Sequence, residues 1–190
     1  ALKLNTTGAS NNAFGGTSLD ANTTGNYNTA LGVGALSNNT SQANVAIGFN
    51  ALSTAGNGNE NVAMGYEALK NTTSATHNTG IGTQAGKNTT TASSNTAVGS
   101  DALHAVTTGG SNTAIGRAAL QTNTTGTSNV AIGISALEDN TAQRNTAVGT
   151  ESLKENTSGG YAVAVGYRAL RAQTTPNYNT AVGYQALENI

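Results

Sequence analysis

Along this chain a larger apolar side chain stands one position before a glycine once every sixteen or seventeen residues. The residues are Phe14, Leu31, Ile47, Met64, Ile81, Val98, Ile115, Ile132, Val148, Val165 and Val182. Each stands in a phrase of the form Asn-Thr/Val-Ala-apolar-Gly, from which Asn12, Gly80 and Ala162 depart. Four residues after the glycine a leucine follows in every unit but one, where Gly86 replaces it. Between these anchors lie runs of Asn, Thr, Ser and Gly, such as Asn71-Thr72-Thr73-Ser74. Seventeen residues are too few for a helix–turn–helix repeat, and Asn, Thr and Gly are poor helix formers. Within 44–48 the larger side chains alternate, which is the period of a strand. Val45 and Ile47 are expected on one face, with Asn44 and Ala46 on the other. A second short strand is expected at the Ala-Leu pair, as at Ala51-Leu52.

One such unit cannot bury its own apolar face, but stacked units can. The pattern therefore predicts an all-β fold, a β-solenoid of eleven coils of about seventeen residues. At the spacing of neighbouring strands the rod would be roughly 50 Å long. Its core is expected to hold the residue before each glycine and the leucine after it. The alanine two before the glycine is then expected on the opposite, outer face, where its small size would let another chain approach.

Composition sharpens this picture. Thr, Ala, Asn and Gly make up 112 of the 190 residues, while Trp is absent and Phe occurs twice. A conventional core is excluded by so few large apolar residues. A thin roll of this kind is marginal alone and better supported in association. Eight basic and nine acidic residues give a net charge of −1, so no basic surface for nucleic acid is expected. Cysteine is absent, which excludes disulfides, thiolate metal sites and a cysteine nucleophile. No apolar run is long enough to span a membrane as a helix.

The phrases Asn44-Val45-Ala46-Ile47-Gly48, Asn129-Val130-Ala131-Ile132-Gly133 and Ala162-Val163-Ala164-Val165-Gly166 resemble the head repeats of YadA-like trimeric autotransporter adhesins. Related repeats occur in phage tail fibres and other trimeric surface fibres. The resemblance covers all eleven units. It implies a left-handed parallel β-roll, three chains around an axis as a homotrimer, and an adhesive role at a cell surface or phage tail. The unit here is longer than the family's common repeat, and Asn44, Asn61 and Asn129 stand where the family often has Ser. Neither end carries an evident capping sequence. The chain is expected to be a single repeat-array head domain over 1–190, a piece of a longer fibre.

Two rows of residues invite attention. Phe49, Tyr66, Tyr167 and Tyr184 directly follow the repeat glycine, and stacking would align them as a recognition stripe or a packed seam. Asn44, Asn61, Asn78, Asn95, Asn112, Asn129, Asn145 and Asn179 share one phase, where amides would form a ladder from coil to coil or serve their own turns. Ala162 interrupts that row.

Signals for catalysis, metals and cofactors are sparse, and neither an enzyme nor a cofactor is expected. His77 and His104 lie at different phases and read as polar turn residues. Glu138-Asp139 reads as a solvated turn. The glycine-rich stretch from Gly80 to Ala85 lacks the strand–helix context of a dinucleotide site. Asn-x-Thr/Ser sequons at Asn5, Asn22, Asn39, Asn71, Asn88, Asn123 and Asn156 read as compositional.

Three functions remain in view. The first is a non-enzymatic adhesive segment of a trimeric fibre, on a bacterium or a phage, with an extracellular protein or glycan as ligand. The second is an ice-binding solenoid, although threonine three before the glycine occurs in only six units and that phase is expected to face the core. The third is a polysaccharide-cleaving fibre, which requires an acidic cluster in a groove.

Overall fold

The computed structural model describes all residues except Ala55, Asn57, Pro176 and Ile190. Its regular elements are eleven three-residue strands, one per repeat. They are β1 (Asn12–Phe14), β2 (Thr29–Leu31), β3 (Val45–Ile47), β4 (Val62–Met64), β5 (Thr79–Ile81) and β6 (Thr96–Val98). The series continues with β7 (Thr113–Ile115), β8 (Val130–Ile132), β9 (Thr146–Val148), β10 (Val163–Val165) and β11 (Thr180–Val182). Successive strands pair in parallel, in sequence order, as one eleven-stranded sheet. Register is constant: Ala46 lies beside Ala30 and Ala63, and Ile47 beside Leu31 and Met64. The fold is a β-solenoid of about ten turns. Among the described residues no helix is long and apolar enough to cross a membrane.

The repeat glycine is required on two counts. Its φ lies between 126° and 139° from Gly15 to Gly183, in the region where a Cβ is strained. A Cβ on Gly48 would also stand 2.5 Å from the carbonyl oxygen of Gly65 in the next coil. Glycine therefore stacks on glycine, and from Gly32 to Gly183 each donates its N–H to the preceding coil, as Gly48 does to the Leu31 carbonyl at 2.8 Å.

The core differs from the expectation in which face of the strand it takes. The central alanines point inward: Ala46, Ala63, Ala114, Ala131 and Ala147 are fully buried. The residues flanking them, Val45 and Ile47 for example, point outward. Alternation along the strand is as expected, but its inner and outer faces are exchanged. The reason is space. Nine leucines, from Leu19 to Leu170, are buried to within 1% and already fill the lumen. A coil of seventeen residues leaves room opposite each leucine only for a methyl group, so the bulky residue before the glycine is displaced to the outside.

The Ala-Leu pair forms no second strand. Leu52 has φ of 50°, and its equivalents lie close to that value. Left-handed residues two and four positions after the glycine bend the chain here, with a third, such as Glu60, before the strand phrase. Coils are still joined at this corner, because Leu52 N–H donates to the Ala68 carbonyl at 2.9 Å. Non-glycine residues in this conformation cost about 1–2 kcal/mol each; stacking holds them there.

One coil departs from the pattern. Gly80 replaces the inward alanine and Gly86 the core leucine. A Cβ on Gly80 would lie 2.8 Å from Leu69 Cγ, and one on Gly86 2.7 Å from Leu69 Cδ2. Leu69 of the preceding coil occupies the space that both substitutions vacate. The buried apolar core divides there into two clusters, one ending at Leu69 and the other beginning at Ala85.

Candidate functional site

The outward sheet face carries two parallel rows. One is the residue that opens each strand, Thr in six, Val in four and Asn12 in β1. The other is the bulky apolar residue that ends it, from Phe14, 75% exposed, through Ile132, 37% exposed, to Val182, 69% exposed. Eleven strands at about 4.8 Å, each about 10 Å wide, make an outward strip on the order of 500 Å². Within it the apolar row is unbroken from Phe14 to Val182, while the row beside it is mostly threonine.

Phe49, Tyr66, Tyr167 and Tyr184 lie beside this strip, all exposed. They form two stacked pairs rather than one stripe. Phe49 and Tyr66 have ring centroids 5.6 Å apart, and Tyr167 and Tyr184 5.3 Å. The Arg168 guanidinium sits 4.9 Å from the Tyr167 ring centre. Thr83, Ser100, Arg117, Ile134 and Thr150 occupy the same phase between the pairs.

The asparagines of the strand phrase point inward with the alanines. Asn44, Asn61, Asn78, Asn95, Asn112, Asn129 and Asn145 are at most 3% exposed. Asn44 Oδ1 accepts the Asn61 backbone N–H at 2.9 Å and its Nδ2 at 3.3 Å. Asn61 Nδ2 also donates to the Ala75 carbonyl at 2.9 Å. The backbone link repeats from Asn28 to Asn145, and at Ala162 the acceptor is Asn145 Oδ1. Asn179 stands apart, donating from Nδ2 to Gln173 Oε1 at 3.1 Å.

Three further rows were not recognised in the sequence, though all keep the seventeen-residue phase. A second amide position holds Asn22, Asn39, Asn123, Asn140 and Asn156, fully buried. Thr72, Thr89 and Val106 replace them in mid-rod, and the hydroxyls of Thr72 and Thr89 have no hydrogen-bond partner. The next position is threonine in nine coils, from Thr23 to Thr174. Its hydroxyl donates to the threonine carbonyl one coil on, as from Thr73 to Thr90 at 3.0 Å. Lastly, Arg144, Tyr161 and Tyr178 stand one above another just before the strand phrase. The two rings are 5.1 Å apart and Arg144 lies 5.3 Å from the Tyr161 centre, also hydrogen bonding its hydroxyl. A groove of about 420 Å³ runs beside this column.

Charged side chains pair along the rod. Lys70 and Lys87 reach the two oxygens of Glu67 at 2.6 and 2.8 Å. The hydrogen bond from Lys70, then that from Lys87, lowers the Glu67 carboxyl to about 2. Burial, and then the adjacent Glu138, raises Asp139 above its ordinary value. His77 Nε2 lies 2.8 Å from Glu60 Oε2 at an exposed site; His104 sits at another phase. Among the described residues no three His, Cys, Asp or Glu side chains form a metal-sized group. The sequon asparagines Asn22, Asn39, Asn123 and Asn156 are buried, and therefore closed to a glycosylating enzyme. No family model, curated protein or solved structure matches the chain.

Proposed function

We propose that the chain is a structural and adhesive head segment of a trimeric surface fibre, without enzymatic activity, mediating attachment to a host, prey or matrix surface. A phage tail fibre that contacts its receptor through the same rod is the nearest variant of this reading. One observation carries it: a row of apolar residues on the outward sheet face runs from Phe14 in the first strand to Val182 in the last. A second and third copy of the chain are its natural cover, since a self-matching strip of fixed coil spacing suits identical rods in register. The number three rests on the resemblance to YadA-like heads. Light scattering at micromolar concentration is expected to give three times the chain mass of 18.9 kDa. A stable monomer overturns the reading.

A second reading is an ice-binding solenoid. It is favoured by the threonine row from Thr23 to Thr174, in which the Thr73, Thr90 and Thr107 hydroxyls donate to the next coil, and by the outward Thr79, Thr96 and Thr113. Thermal hysteresis at micromolar protein would establish it in place of the adhesive reading; its absence leaves the fibre.

A further inference from the structure

We infer that the groove beside Tyr161 is a binding site for a neutral oligosaccharide lying along the rod axis. This rests on the adhesive reading and supplies the ligand class that it leaves open. The groove, of about 420 Å³, lies within the size of a small-ligand site. Its polar lining comes from four successive coils: Thr125, then Thr141 and Gln143, then Ser158, then Asn177. Each is exposed. Thr141 Oγ1 already donates to the Thr157 carbonyl, and Asn177 Oδ1 accepts the Gly160 N–H, which leaves the Thr125 and Ser158 hydroxyls, Gln143 Nε2 and Asn177 Nδ2 to meet a ligand.

Three features select a saccharide. The polar rungs recur once per coil, about 4.8 Å apart, close to the length of one pyranose unit, so each sugar of a short chain would meet one rung. The aromatic wall offers a ring edge against which a sugar's C–H groups pack, both faces of Tyr161 being covered by Tyr178 and Arg144. Tyr161 is held between Arg144 and Tyr178, so the wall is ordered before any ligand arrives and little freedom is lost on binding. Finally, none of the lining residues is charged, and the nearby Arg144 is engaged with Tyr161. That favours a neutral sugar over an acidic one.

The test is saturation-transfer NMR on the assembled protein with cello-, chito- and manno-oligosaccharides of one to three units. For at least one series, affinity is expected to rise about tenfold from the monosaccharide to the trisaccharide. Tyr161→Ala and Asn177→Ala are each expected to weaken binding by about fivefold or more. Tyr66→Ala, in the other aromatic row, should leave it unchanged. Ser158→Gln, which fills the groove without touching the tyrosines, guards against a folding defect in Tyr161→Ala; both variants are checked by circular dichroism. No transfer to any of these sugars overturns the proposal. So does undiminished binding by Tyr161→Ala and Ser158→Gln, or transfer to sialyllactose alone. Mass measured on the same samples separates this from assembly: a trimer that binds no sugar overturns the groove and leaves the fibre, whereas a monomer that binds sugar overturns the trimeric fibre and leaves the groove.

Discussion

Asn145 Oδ1 accepts the backbone N–H of Ala162 at 2.9 Å, but Ala162 returns no amide to the row. Each inward asparagine on the earlier coils both receives its neighbour's amide oxygen and offers its own. At Ala162 that chain of polarised amides stops, and Asn179 turns to Gln173 instead.

Ala162→Asn is therefore expected to raise the melting temperature by extending the row. Asn112→Ala should have the opposite effect. It removes the acceptor of Asn129 N–H and Nδ2, at 3.0 and 3.1 Å, and the donor to the Gly126 carbonyl at 2.9 Å. Leaving those buried groups unmatched costs about 1–3 kcal/mol, measurable by chemical denaturation. Equal stability of Asn112→Ala and the parent would contradict the ladder.

Glycine stacking can be separated into its two causes. Gly99→Ala places a Cβ 2.6 Å from the Gly116 carbonyl oxygen at φ of 130°, so it meets both a clash and backbone strain. Gly183→Ala, with φ of 133°, meets nothing nearer than Ala186 Cβ at 3.8 Å. It should lose only the strain, about 1–3 kcal/mol. Gly99→Ala is expected to lose at least twice that in equilibrium unfolding.

Neighbouring residues on β7 (Thr113–Ile115) report which face is which. Ala114→Leu overfills a closed lumen and should destabilise the coil by about 1–3 kcal/mol. Ile115→Lys lies outward, so the secondary structure should survive by circular dichroism while light scattering shows the assembly falling apart. A coil that tolerates Ala114→Leu but unfolds with Ile115→Lys would reverse the assignment of faces.

Glu67 confers a pH dependence of known sign. Its folded pKa is held near 2 by Lys70 and then Lys87, below the ordinary glutamate value of about 4.3. The stabilisation is present above that ordinary value and is lost as pH falls from about 4 towards 2. Glu67→Gln should melt lower than the parent at pH 7, and the two melting temperatures should converge near pH 2.

Thr89 hides a hydroxyl with no partner. Thr89→Val keeps the shape and removes the unmatched group, so it should be neutral or stabilising by up to about 1–2 kcal/mol. Val106 occupies the same phase in the next coil and is already tolerated there. A clear loss of stability in thermal melts would mean that the hydroxyl is engaged.

The repeat, the stacking of coils and the phase at which glycine, leucine and asparagine recur are legible from spacing alone, although the asparagines were expected on the outer face and lie inside. A side chain that recurs at one phase must stack on itself once the coils close. The tyrosine pair 161 and 178 and the threonine row were legible by the same rule, though each needed its own phase to be followed. The second expected strand was not realised, because nothing in Ala51-Leu52 announces that Leu52 will take a left-handed φ. Stacked neighbours impose that conformation against local preference. The inner and outer faces of the strand were likewise beyond the pattern. Alternation places Ala46 and Ile47 on opposite faces but does not say which one faces in. That choice depends on the width of a lumen already filled by Leu36, Leu52 and Leu69, a volume that exists only when the whole coil has closed.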